Sequence, residues 1–167
     1  NQMASYISGL AATYDTVGMD RTFSTYDGRG ISIMGGTYGW KIDQEAEVKA
    51  LTEIIENGET QVREPVYAQE GLSRKTNDIG YTYIEIDLTA QRMVFYKNGT
   101  PIADAPVVSG NPYVPNCATP TGCYTVGETK SGYTVNGEDY PSAVNYWIPF
   151  DGNLGINDAP WRGSFGE

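Results

Sequence analysis

The residues of this chain best suited to covalent chemistry are two cysteines. Cys117 and Cys123 lie six positions apart around Ala118-Thr-Pro-Thr-Gly122, and the chain contains no His. Neither thiol can therefore form a Cys–His pair, and two thiolates alone leave a tetrahedral zinc site half filled. Two alternatives stay open: a disulfide, worth roughly 2 kcal/mol through loop-closure entropy, or two free structural thiols.

Charge and hydropathy exclude several classes of partner. The chain has 21 acidic and 11 basic residues, a formal net charge of −10. This charge repels nucleic acid, and no Lys/Arg cluster offsets it locally. No apolar run approaches the roughly 20 residues that span a bilayer, so we expect no membrane contact from this segment. A glycosidase would need two carboxylates at a defined separation, but no spacing singles out a pair. We expect no metal or organic cofactor.

The first part of the chain predicts helices and short strands. An apolar stripe at helical spacing predicts a first helix that ends before Gly18. Asp27-Gly28 predicts a hairpin between the runs 21–26 and 30–34, with a further extended piece over 37–42. Asp43 fits the N-cap of a second helix that ends at Asn57-Gly58. The stripe of the first helix is Met3, Ile7, Leu10, Ala11 and Tyr14, and that of the second is Ala46, Ala50, Leu51, Ile54 and Ile55.

The second part predicts mostly β-structure. Residues 59–80 are polar and broken by Pro65 and two glycines, which favours a connection with a short strand over 63–67. From Tyr81 the period changes to two, with Ile84, Ile86 and Leu88 on one face and Tyr83, Glu85 and Asp87 on the other. Further strands are predicted over 91–97, 101–109, 123–129 and 143–150, with Asn98-Gly99 as a hairpin turn. The interpretation is an α+β module over 1–78 and a mostly β unit over 79–167.

Several ordered motifs of the second part resemble one known family. They are Ile84-Glu-Ile-Asp-Leu-Thr-Ala-Gln-Arg-Met-Val-Phe-Tyr-Lys-Asn-Gly99, Pro106-Val-Val-Ser-Gly-Asn111, Ala118-Thr-Pro-Thr-Gly-Cys-Tyr124, Tyr140-Pro-Ser-Ala-Val-Asn-Tyr-Trp-Ile-Pro-Phe150 and Gly155-Ile-Asn-Asp158. Together they resemble the YkuD-type L,D-transpeptidase catalytic domain. Upstream, Gly35-Gly-Thr-Tyr-Gly-Trp-Lys-Ile-Asp-Gln-Glu45 is similar to the peptidoglycan-binding module that precedes such domains. The resemblance implies an α+β module followed by an incomplete YkuD-like domain.

The resemblance also implies a reaction and a place. In this family a Cys thiolate attacks a peptidoglycan stem peptide, releases D-Ala, and passes the acyl group to an amine of a second stem. The family pattern has a His where this chain has Asn157, and then a Ser-His-Gly-Cys motif that does not occur before Glu167. We therefore expect a truncated, inactive portion of a longer protein, excised or processed, since it does not begin with Met. Its expected location is the extracytoplasmic cell envelope, with a signal or anchor upstream.

Site residues follow from the same resemblance, each with a structural alternative. Asn157 would orient a partner or cap a turn, and Asp158 would hold a donor in the site or serve as a structural carboxylate. Trp161 and Arg162 would border the substrate groove. Tyr140 and Trp147 would bind substrate as sugar platforms, or would line a groove wall or pack in the core. Trp40 in the first module would contact the cell wall or pack in the core. The competing hypothesis is a non-catalytic module that binds peptidoglycan; the oligomeric state is not predicted.

Overall fold

A computed structural model describes residues 2–136 and 141–166. In this part of the chain, two helices lie among ten strands that form four small sheets. The elements are α1 (Gln2–Tyr14), β1 (Arg21–Ser24), β2 (Gly30–Ile33), β3 (Lys41–Ile42), α2 (Gln44–Glu56), β4 (Tyr67–Gln69), β5 (Tyr83–Asp87), β6 (Arg92–Lys97), β7 (Thr100–Pro106), β8 (Lys130–Asn136), β9 (Pro141–Asp151) and β10 (Leu154–Asn157). The predicted class, an α+β module followed by mostly β-structure, is confirmed.

The two helices pack against each other around the core of the first part. Ile7 and Ala11 of α1 are buried with Ile42, and Val48 and Leu51 of α2 pack on them. Asp43 caps α2 as predicted, its side chain accepting the backbone N–H of Ala46. Apolar contacts between helix faces, rather than helix propensity, hold such short helices in place.

The predicted buried stripe of α2 is wrong at one position and incomplete at another. Ile55, in the last turn, is 64% exposed. Glu47 is buried instead, because its carboxylate accepts a hydrogen bond from the Arg63 guanidinium and one from the backbone N–H of Val66. A buried carboxylate is tolerated when it is paired and hydrogen-bonded in this way.

Short strands connect the helices, with shifted bounds. The predicted hairpin forms between β1 and β2, paired from Arg21↔Ile33 to Ser24↔Gly30. The strand expected over 63–67 is instead β4, which pairs with β3. Trp40 packs edge-on against Tyr67 at 4.9 Å, and its indole N–H donates to the Ser73 carbonyl. Trp40 is therefore a packing residue here, which is the structural alternative stated above.

The sheet β5–β6–β7 is an antiparallel meander, as its period and the Asn98-Gly99 turn predicted. Glu85 and Val94 face each other across β5 and β6, and both are buried. Ile84 and Ile86, on the opposite face of β5, are only half-buried. The face that carries Tyr83, Glu85 and Asp87 is therefore covered, because the β1–β2 turn lies on it.

The last sheet has the order β8–β9–β10. β9 corresponds to the strand predicted over 143–150, whereas the sequence did not predict β8 or β10. The strand expected over 123–129 is wrong: Cys123 forms one isolated parallel bridge with Gly36 and the following residues are irregular. The physical reason is that the backbone of this segment has no single neighbouring strand to pair with. Gly127 forms its backbone hydrogen bond with Pro149, whereas Cys123 forms its own with the 35–38 loop.

Two further contacts join residues that are far apart in the chain. Arg21, of β1, is buried and pairs with Asp78 at 3.0 Å. The backbone of Gly36 and Tyr38 meets that of Cys123, and the Tyr38 N–H donates to the Cys123 carbonyl at 2.9 Å. Gly36 has a φ of +91°, and a Cβ there would lie 2.1 Å from the Cys123 carbonyl oxygen. Glycine is thus required for this close approach.

Candidate functional site

The residues that sequence reasoning placed near a reaction site meet at the end of the β9–β10 hairpin. Asn157 of β10 pairs with Trp147 of β9, and Asp158 follows directly. The hairpin turns at Gly152-Asn153, between Asp151 and Leu154. Antiparallel pairing therefore brings residues about ten positions apart in sequence side by side.

Asp158 is held by a neighbouring strand residue and by backbone. One carboxylate oxygen accepts the Tyr146 backbone N–H, and the other accepts the Asn145 side-chain amide, both at 2.8 Å. The Tyr146 N–H and the Asn145 donor stabilise the charged form, and so hold the pKa of Asp158 below its ordinary value. Asp158 is thus an ionised hydrogen-bond acceptor that fixes the path of the chain after β10.

Asn157 is half-buried, and its amide donates to the backbone carbonyl of Asp158 at 2.7 Å. An amide does not take up a proton near neutral pH. In this geometry Asn157 can orient the turn that carries Asp158, but it cannot serve as a general base.

Trp147 is the packing centre beneath these residues. It is 5% exposed, and its ring stacks on Tyr133 of β8 at 5.2 Å. Gly155 of β10 lies against the Trp147 ring, and a Cβ at this position would sit 2.6 Å from the indole. An indole this deeply buried does not offer an exposed platform.

The other predicted groove residues lie at the surface or outside the described part. Trp161 is 53% exposed, and Arg162 is exposed with its guanidinium 3.4 Å from the Ser164 carbonyl. Both follow Asp158 in the chain, so the hydrogen bonds that hold Asp158 fix the start of the segment that carries them. Tyr140 lies outside the described residues.

Both cysteines are free thiols in the structure. The disulfide between them, one of the two alternatives above, stays a prediction. Cys117 is exposed and Cys123 is partly buried. Burial raises the pKa of the Cys123 thiol, with smaller effects from Arg21 and Asp78. A thiol with a raised pKa is a poor nucleophile, which agrees with a structural position for Cys123 at the Gly36 bridge.

Among residues 2–136 and 141–166, no group of three His, Cys, Asp or Glu side chains is arranged to hold a metal ion. Within the same ranges, neither helix has the length and apolarity needed to cross a membrane.

Two hydrogen-bonded arrangements were not predicted from the sequence. Asn145 lies within one of the motifs, but its hydrogen bond to Asp158, 13 residues later in the sequence, forms only because β9 and β10 pair. Glu85 was treated as one member of an alternating strand, although its carboxylate accepts a backbone N–H from Tyr26, 59 residues earlier. Only the acidic residue inside a buried pattern could have signalled the second arrangement.

Two family matches cover most of the chain. Residues 81–167 match the L,D-transpeptidase catalytic domain (YkuD). Residues 1–63 match the family described as "Putative peptidoglycan binding domain". Among curated proteins, none matches the chain significantly.

Solved structures of similar proteins match the whole fold. A crystal structure of an Enterococcus faecium L,D-transpeptidase with a Cys-to-Ser substitution is 33% identical, with a TM-score of 0.75 over 99% of this chain and 67% of that one. The structure of the Ldtfm–avibactam carbamoyl enzyme is also 33% identical, with a TM-score of 0.73 over 99% of this chain and 65% of that one. The chain therefore spans about two thirds of the length of these relatives.

Proposed function

Because the chain belongs to the L,D-transpeptidase (YkuD) family, we propose that it is part of a bacterial enzyme that cross-links peptidoglycan stem peptides by Cys acyl transfer. The observation that carries this proposal is the match of residues 81–167 to the catalytic domain, together with a fold similarity that covers 99% of the chain. The location proposed with it is the extracytoplasmic cell wall, reached through an upstream signal or anchor.

The proposed reaction has two acyl-transfer steps. A Cys thiolate forms a thioester with the stem carbonyl carbon while the bond to the terminal D-Ala breaks, and the departing amine takes up a proton. An amine of a second stem then attacks the thioester carbon and loses a proton, so that the new amide bond forms while the C–S bond breaks and the thiolate is released. These steps need a thiol of low pKa and a nearby base. Cys123, with its raised pKa, and Asn157, with its non-titrating amide, supply neither.

The proposed role of this chain is consequently to bind and position substrate. We assign Trp161 and Arg162 to the substrate side, because they are exposed and lie shortly after Asp158, which is held by hydrogen bonds. Trp147, which is buried in the sheet and stacked on Tyr133, is assigned a packing role. The proposed boundary between the two modules is 78/79: Asp78 is held by Arg21 of the first part, and β5 begins shortly afterwards.

A non-catalytic module that binds the wall is the second candidate. It is favoured by the engagement of Asn157 with backbone at the family's His position. Both candidates predict binding to peptidoglycan, but only the first places the chain within an enzyme that turns substrate over.

The test measures binding and turnover separately. We expect the purified chain to sediment with sacculi and to release no D-Ala from disaccharide–tetrapeptides, as followed by mass spectrometry. Trp161→Ala should lower the sedimented fraction several-fold, since exposed aromatic side chains contribute strongly to such contacts. Tyr113→Ala, at an aromatic residue that is 93% exposed, is the matched control and should change nothing.

Two results would contradict the proposal. Absence from the sacculus pellet at every salt concentration would remove peptidoglycan as the partner. D-Ala release by the chain itself would show that its own residues supply the nucleophile.

A further inference from the structure

The β1–β2 turn is docked on the sheet β5–β6–β7 through one concentrated set of contacts, here named the hairpin contact. The Tyr26 backbone N–H donates to both carboxylate oxygens of Glu85, at 2.9 and 3.0 Å. Arg29 donates to Asp87 at 2.6 Å. The Arg92 guanidinium lies over the Tyr26 ring at 4.5 Å. A turn of the first part is thus fixed by three charged side chains of the second part.

Glu85 stands apart from the other acids at this contact because it is buried without a cation of its own. It is 9% exposed, and its hydrogen-bond partner is a neutral backbone N–H. Asp87, by contrast, accepts from Arg29 and from the backbone N–H groups of Thr89 and Ala90. A buried carboxylate that is not ion-paired is more stable when it carries a proton.

The charged and titratable groups around Glu85 come from each element packed against it. Arg29 is shared with Asp27 and Asp87, and Arg92 is engaged by Asp104. The facing groups are Tyr26, Asp27 and Arg29 from the turn, Tyr83 and Asp87 from β5, Arg92 from β6 and Asp104 from β7. Both cations are thus paired with other acids, and the negative charges of Asp27 and Asp87 act on Glu85.

The direction of the pKa agrees with this geometry. Burial is the largest influence and raises the pKa of Glu85, as do the charges of Asp27 and Asp87, while the Tyr26 N–H and the charge of Arg29 oppose the rise. The pKa of Asp87 is lowered, first by the Ala90 N–H. Asp27 is lowered in pKa as well, first by the Thr25 hydroxyl.

We infer that the hairpin contact is proton-linked: docking of the β1–β2 turn takes up a proton at Glu85, so that the contact tightens in mild acid. A carboxyl that binds its proton more strongly when docked favours docking below its undocked pKa and loses that contribution as pH rises through its docked pKa. The pKa values of Asp27 and Asp87 are shifted in the opposite direction, so the pH dependence that these two carboxylates contribute has the opposite sign. They weaken the contact only as pH falls through their lowered pKa values. The contact is therefore strongest between these two ranges.

A second junction between the same parts provides an internal reference. The Tyr38 N–H donates to the Cys123 carbonyl at 2.9 Å. Both groups are backbone and do not titrate. Mild acid should thus strengthen the contact at Tyr26 and leave the junction at Tyr38 unchanged. A difference between the two junctions would show that the proton linkage is local to Glu85.

The test is the hydrogen-exchange protection of single amides, corrected for the intrinsic exchange rate at each pH. We expect protection of the Tyr26 N–H to be about threefold or more higher at about pH 5 than at about pH 7, and that of Tyr38 to be equal at both. Glu85→Gln keeps an acceptor but cannot ionise, so it should abolish the difference and protect Tyr26 at neutral pH at least as well as the unaltered chain does. Glu128→Gln, at an exposed carboxylate, is the matched control.

Two outcomes would overturn the inference. Equal Tyr26 protection at both pH values would remove the linkage, and weaker protection in acid would mean that the charged carboxylate holds the turn. The Val94 amide, on the strand that pairs with β5 opposite Glu85, reports whether Glu85→Gln folds. If it does not, NMR titration of the Glu85 carboxyl in the unaltered chain decides: a midpoint above the ordinary value of 4.5 supports the inference, and one at or below it refutes it.

Discussion

Removing Arg21 should be among the most destabilising single changes in this chain. Its side chain is 5% exposed, and its guanidinium contacts both oxygens of Asp78, whose side chain is 13% exposed. The same guanidinium also donates to three backbone carbonyls, those of Thr16, Met19 and Tyr38. One side chain thereby joins β1, two loops and the segment that precedes β5.

The magnitude follows from what would be left behind. In Arg21→Met the apolar stem is largely kept, but Asp78 becomes a half-buried charge without its partner and three carbonyls lose a donor. Breaking a buried ion pair from one side costs about 3–5 kcal/mol. Since a domain of this size has about 5–15 kcal/mol in total, the variant should lie close to unfolding. Arg21→Lys keeps the charge but not the planar fork, and should cost about 1–3 kcal/mol.

The assay is urea unfolding followed by Trp fluorescence, with the free energy of unfolding extrapolated to water. Arg162→Met, at an exposed arginine, is the matched control and should change this free energy by about 0.5 kcal/mol at most. The double variant Arg21→Met/Asp78→Asn should be more stable than the sum of the single effects by about 1–3 kcal/mol, because the orphaned charge is gone. A cost below about 1 kcal/mol for Arg21→Met, or strict additivity in the double variant, would refute the reasoning.

Two further predictions concern the β9–β10 hairpin. Gly155→Ala places a methyl 2.6 Å from the Trp147 indole and should cost about 1–3 kcal/mol. Gly163→Ala meets no atom within 4 Å and should be neutral, so equal melting temperatures for the two variants would contradict the packing argument. The lowered pKa of Asp158 contributes stability above its unfolded pKa, and that contribution is lost as pH falls through the lowered value. Protection of the Tyr146 N–H from exchange should therefore fall in acid, and Asp158→Asn should remove this dependence; a Tyr146 profile that is unchanged in the variant would sink the assignment.

The alternating strand β5 shows how a correct local pattern can carry an unexpected consequence. A period of two predicts a strand with two chemically different faces, and the strand forms with the bounds Tyr83–Asp87. The residue most buried on it is nevertheless Glu85. Burial depends on what covers a face, and the covering turn lies 59 residues away in sequence. No periodicity within the strand contains that information.

Local chemistry in the sequence was sufficient for the helices, the turns and the family. Side-chain spacing selects a helical stripe in α1, Asp43 satisfies free N–H groups at the start of α2, and Asn98-Gly99 supplies the positive φ angles of a tight hairpin. These preferences act over a few residues, so they can be read without a structure. The ordered motifs after Ile84 likewise identified the L,D-transpeptidase family.

Tertiary structure alone decided the strands and sites that depend on distant partners. β8 is polar and contains a glycine, and it becomes a strand because β9 pairs with it from Lys130↔Trp147 to Asn136↔Pro141. Asp158 acquires its role from Asn145, and Glu85 from Tyr26. The residues themselves were visible in the sequence, but hydrogen bonding and burial are properties of pairs, and folding chose the pairs.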